Sequence, residues 1–172
     1  MTTLRLLLEQ AGVPPPYVLV GHSLGGLHAE LFARRHPGEV GGIVLVEAAS
    51  PDEATDPPRQ GRLARLITSV VDGINRLRGR PRGLDEVDNV AATIRQIRTA
   101  PSFPNVPLVV VTGGKRMRMV PDAAFVAHQE AQRGRVALSP QRRQVIAHES
   151  GHFPQLQEPA VVVAAIREVG AG

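Results

Sequence analysis

At 172 residues, 42% of them hydrophobic and 21% charged, the chain has enough apolar material for one domain with a core and too much to be disordered. It has no cysteine, which excludes disulfides and thiolate metal sites, and no apolar run approaches the ~20 residues that span a bilayer. The net charge of +4 is almost wholly arginine (Lys115 is the one lysine), yet aromatics are only 3%, so solvated helix faces explain the basicity better than a nucleic-acid surface.

The pattern from Thr3 to Ala11 is a short amphipathic helix rather than a signal peptide, and a cytoplasmic location is expected. Gly12 and Pro14-Pro15-Pro16 end that helix. Tyr17-Val18-Leu19-Val20 reads as a strand. Gly21-His22-Ser23-Leu24-Gly25 follows it, and Leu24 to His36 reads as a helix with Leu24, Leu27, His28, Leu31 and Phe32 on one face. Strand, tight turn and helix form the setting of a G-x-S-x-G nucleophile elbow. Glycines at 21 and 25 are expected to leave room for a sharp turn that projects the serine hydroxyl at the top of a sheet.

Arg34-Arg35-His36-Pro37-Gly38 closes the helix with basic residues, then proline and glycine. Val40 to Val46 is apolar throughout, as a buried parallel strand should be. A Pro/Asp-rich loop covers 51–58. Leu63, Leu66, Ile67, Val70, Val71, Ile74 and Leu77 then repeat at helical spacing. Residues 78–83 break the pattern, and Val87, Val90, Ala91, Ile94 and Ile97 mark a further helix. Strands are expected at Pro107–Thr112 and Gln144–Ala147, with a last helix at Val161–Val169. The β-α-β alternation gives a parallel sheet with covering helices, and 51–100 is a helical insertion.

A serine hydroxyl needs a histidine to take its proton, and the histidine needs an acid to orient it. His152, in Ser150-Gly151-His152-Phe153-Pro154, lies beyond the carboxyl end of the last strand, where an open α/β sheet places its site. His148 competes but stands nearer the strand. His22 lies inside the elbow, too close to swing onto Ser23. His28, His36 and His128 read as helix residues without chemistry.

Together, GHSLGG, an apolar strand, a helical insertion, VVVTGG and SGHFP before a C-terminal helix resemble the α/β-hydrolase superfamily, in its serine-hydrolase branch. The likeness covers nearly the whole chain. It implies one partial domain over residues 1–172, from the nucleophile strand onward, with a cap at about 51–100. The triad order it implies is serine, acid, histidine, which Ser23 and His152 bracket. The acid usually follows the strand after the cap, where no carboxylate occurs before Asp122. In some branches it follows the strand after the nucleophile helix, where Glu47 stands. A carboxylate ending an apolar strand is costly without a partner. Glu47 is therefore favoured, with Asp122 second, since Pro121-Asp122 also reads as a helix start, and Asp52 third.

The resemblance further implies an ester or related acyl substrate, an acyl-enzyme, and Leu24 N–H as oxyanion donor. It implies a small-molecule substrate and neither a metal nor an organic cofactor. Acyl transfer or cofactor-free perhydrolysis on the same triad is the alternative chemistry. A non-catalytic remnant, or a subunit that needs a partner, is the alternative class. The strands that precede the nucleophile strand in such enzymes have no counterpart in this chain. Tyr17–Val20 is therefore expected at a sheet edge, open to self-association.

Overall fold

The computed structural model describes residues 2–52, 85–118 and 120–171. The expected helix through Leu63–Leu77 lies outside the described residues. Helix α1 (Thr2–Gln10) precedes β1 (Tyr17–His22), α2 (Gly25–Arg35) and, after a 3-10 turn at Pro37–Glu39, β2 (Val40–Val46). Helix α3 (Asp85–Arg98) leads to β3 (Leu108–Gly113), α4 (Asp122–Val136) and β4 (Arg142–Ala147). A short α5 (Pro154–Gln157) and α6 (Pro159–Gly170) close the fold. Each expected strand is present, and β4 begins two residues earlier than the apolar pattern alone places it.

The sheet has the order β1-β2-β3-β4, and all neighbours are parallel. Alternation along β2 and β3 sends side chains to two different cores. Ile43, Leu45, Leu108 and Val110 pack with Phe32 and Ala33 of α2, and Leu4 and Leu8 of α1 join them. Val44, Val46, Val109 and Val111 face the other way, against Val162, Ala165 and Val169 of α6. Ile94 and Ile97 of α3 meet Leu27 and Leu31 of α2. Each fully buried valine, leucine, isoleucine or phenylalanine among them contributes roughly 1.5–3 kcal/mol. Because neighbouring strands all run parallel, their carboxyl ends come to one rim.

Helix α2 approaches that rim closely. A Cβ on Gly21 would lie 2.7 Å from the Cα of Gly26, and one on Gly26 would overlap the Cβ of Ala48. Around Gly25 there is open space. The steric demand of the elbow therefore falls on Gly21 and Gly26 rather than on Gly21 and Gly25: the helix starts tight against the turn after β2, and Gly25 faces away from it.

Among the described residues, strand β1 pairs with β2 alone and so forms an edge of the sheet. Its Val18 and Val20 are exposed, on a strand with no charged residue. Unpaired edge groups and apolar side chains together form a template for another strand. We propose that the chain self-associates through β1. Sedimentation should show dimers or larger species that Val20→Lys shifts toward monomer. A wild-type monomer that is unchanged by concentration would contradict the proposal.

Candidate active site

The carboxyl ends of β1 and β2 run side by side, with His22 in register with Val46. The next residue on each strand, Ser23 and Glu47, adopts a left-handed backbone, with φ of 54° and 45°. For residues with a side chain this costs roughly 1–3 kcal/mol each, and it persists only where surrounding bonds enforce it. Those bonds are present. Ser23 N–H donates to the Val46 carbonyl at 3.2 Å, and Glu47 N–H donates to the Val111 carbonyl at 2.8 Å. The Ser23 carbonyl in turn accepts from Ala49 N–H at 2.9 Å and Gly26 N–H at 3.1 Å. Both strands thus end in a kink that lifts a side chain over the sheet.

His152 meets both of these residues. The Ser23 hydroxyl lies 3.2 Å from His152 Nε2, where it can donate a hydrogen bond. His152 Nδ1 lies 3.3 Å from Glu47 Oε2. A proton on Nδ1 and a bare Nε2 satisfy both contacts. The loop that carries His152 is pinned by several bonds. Ser150 Oγ and the Glu149 N–H donate to Glu158 Oε2 at 2.7 and 2.8 Å, and Gly151 N–H donates to Gln157 Oε1 at 2.9 Å. His22 Nε2–H donates to the His152 carbonyl at 2.8 Å, and the two rings lie 4.9 Å apart. Burial pushes the His22 imidazole below its ordinary pKa, which favours the neutral ring that this bond uses. His22 is thus a brace for the loop, a role its place inside the elbow did not suggest.

Glu47 is 5% exposed. Burial alone would raise its pKa, but hydrogen bonds from His128 and His152 and from the Gly113 N–H outweigh that, and the carboxyl is held at about 2. The Gly113 N–H lies 2.6 Å from Oε1. His128 Nε2 lies 3.1 Å from Oε2. In the sequence His128 reads as a helix residue without chemistry, yet in the fold it touches the carboxylate. No local signal marks it, because its importance comes from a contact 81 positions away.

The other candidates stand elsewhere. Asp122 is exposed at the start of α4 and pairs with Arg116 Nε at 2.7 Å. Asp52 is exposed in the turn after Ser50, and His148 is exposed just beyond β4. Leu24 caps the start of α2, so its backbone stands at the positive end of the helix beside Ser23. Among the described residues, no group of three or more His, Cys, Asp or Glu is arranged to hold a metal ion, and no helix is long and apolar enough to cross a membrane.

The Glu47 carboxyl has a folded pKa well below its ordinary 4.5. The stability it contributes is therefore full above about 4.5 and is lost as pH falls toward about 2. Urea denaturation of wild type and Glu47→Gln should show the largest difference near neutral pH. That difference should shrink between these two values. A constant difference down to pH 2 would mean that the carboxylate is not held as an anion.

Comparison with known proteins agrees with this architecture. The protein YqjL of Bacillus subtilis is 29% identical over 171 residues, which is 96% of this chain and 61% of YqjL. A probable hydrolytic enzyme from Pseudomonas aeruginosa PAO1 superposes with a TM-score of 0.59 at 20% identity, covering 98% of this chain and 67% of that one. A thermophilic esterase from Thermogutta terrifontis gives 0.56 at 20% identity, covering 94% of this chain and 67% of that one. At such identities these structures share the fold alone. The chain thus spans less than two thirds of YqjL and about two thirds of each structure. The model of the alpha/beta hydrolase family matches residues 2–165, nearly the whole sequence, and the chain belongs to that family.

Proposed function

We propose that the chain is a serine hydrolase that cleaves an ester or related acyl compound through an acyl-enzyme. The observation that carries this reading is the continuous contact Ser23–His152–Glu47, at 3.2 and 3.3 Å. In this reaction Ser23 Oγ attacks the acyl carbonyl while His152 Nε2 takes the hydroxyl proton. The imidazolium then delivers that proton to the leaving group. Glu47 holds Nδ1–H and stabilises the transient cation. The tetrahedral oxyanion lies at the start of α2, where Leu24 N–H donates to it. Water, deprotonated by His152, then attacks the acyl-enzyme, releasing the acid and restoring Ser23. The name of the esterase with the same fold agrees with an ester substrate. In this reading α3, packed on α2, belongs to the cap inserted between β2 and β3.

A fluorophosphonate probe should label Ser23, and Ser23→Ala should abolish labelling. Glu47→Gln should lower kcat by ~10²–10⁴-fold, because the histidine loses the partner that sets its tautomer. Asp122→Asn, at an exposed position, should change kcat by no more than about twofold. Mass spectrometry of the labelled chain and initial-rate assays on p-nitrophenyl esters check these outcomes. Labelling that survives in Ser23→Ala would remove Ser23 from the role. A folded wild type that takes no label would favour the non-catalytic alternative, and the reverse ranking of the two carboxylates would move the acid to Asp122.

A further inference from the structure

The face that α4 turns toward the site is polar. His128, Gln129, Gln132 and Arg135 fall at the spacing of one helical face. Gln129 Nε2 donates to the Gly113 carbonyl at 2.8 Å, Gln132 Nε2 to Ala48 at 2.7 Å, and Arg135 Nη1 to Ala49 at 2.8 Å. Gln132 and Arg135 are buried. These bonds clamp the backbone on both sides of the Glu47 carboxylate. His128, at the same face, reaches the carboxylate itself.

Both histidines meet one oxygen, Oε2: His128 Nε2 at 3.1 Å and His152 Nδ1 at 3.3 Å. We infer that His128 is a positioning residue for the same site, one that shares the Glu47 carboxylate with His152 and limits how strongly it supports the His152 imidazole. The inference rests on the reading of His152 as the base. Each N–H that donates to a carboxylate stabilises the anion and draws on the same lone pairs. With His128 in place, part of the carboxylate's charge is already satisfied. Without it, Glu47 would pull harder on a proton at His152. Glu47 would also lose a lateral contact that fixes its rotamer. Glu47 stands in this cluster on β2, His152 on the loop after β4, and His22 against the His152 ring. Glu30 and Arg135 close a separate pair farther along α4, at 3.1 Å.

The test is the titration of the His152 ring followed by imidazole ¹⁵N NMR, which needs no turnover. His128→Leu should raise the His152 midpoint by ~0.5–1 pH unit, a three- to tenfold change in its protonation equilibrium. His128→Gln carries an amide nitrogen near the place of Nε2 and should stay close to wild type. Should His128→Leu fail to fold, His128→Asn replaces it, because its shorter amide cannot reach Oε2. An unmoved midpoint in a folded variant without the donor, or a shift as large in His128→Gln, would overturn the proposal. Fluorophosphonate labelling of the same samples separates this outcome from a failure of the hydrolase reading, since the midpoint shift does not depend on Ser23 reacting.

Discussion

The site is organised around an anion kept out of water at the end of an apolar strand. β2 delivers Glu47 directly after five buried residues, whose apolar side chains offer a carboxylate no hydrogen bond. An unpaired charge there would either take up a proton or unfold the segment. The carboxylate is stable because a backbone N–H meets one oxygen and two imidazoles meet the other. Those donors come from three different parts of the chain: the end of β3, helix α4 and the loop after β4. Satisfying one group therefore brings together segments that are far apart in sequence. The same contacts that make the buried carboxylate tolerable also place His152 against Ser23.

The two kinked strand ends follow from the same requirement. A strand that continued straight past Val46 would send the next side chain to the face of Ile43 and Leu45, among the apolar residues packed there. The left-handed turns at Ser23 and Glu47 lift both side chains to one rim instead. Their cost is met by the hydrogen bonds that tie Ser23 to Val46 and to Ala49, and Glu47 to Val111. The tight seat of α2 is part of this arrangement, since Gly21 and Gly26 allow helix and turn to approach closely.

Much of this was legible in the chain itself. Strands with β-branched and apolar runs, such as Val40–Val46 and the segment ending in Val111, announce buried parallel strands. The serine between glycines, set between strand and helix, announces an elbow. Glu47 was visible as a carboxylate at the end of an apolar run, an expensive place without a partner. His128 was not visible. Helix α4 turns polar residues inward, with Gln132 and Arg135 buried, while Val126 is 54% exposed. Hydrophobic periodicity reads the apolar side of a helix as its inner face, and here that rule has little to act on. The steric role of Gly26 was hidden for a similar reason: it depends on the approach of Ala48, a residue of another segment.

One buried ion pair extends the reach of this arrangement. Glu30 of α2 accepts from Arg135 of α4 at 3.1 Å and from Arg34 at 2.9 Å, with Glu30 and Arg135 almost wholly buried. Through Arg135 and Gln132 the same α4 face holds the carbonyls of Ala49 and Ala48. Helix α2, which begins beside Ser23, is thus tied to the helix that supports Glu47. Substitutions at 30, 132, 135 and 128 should therefore not add as independent changes. In a library that diversifies this protein, these positions form one epistatic block, and variation at any of them alters the background against which the others are selected.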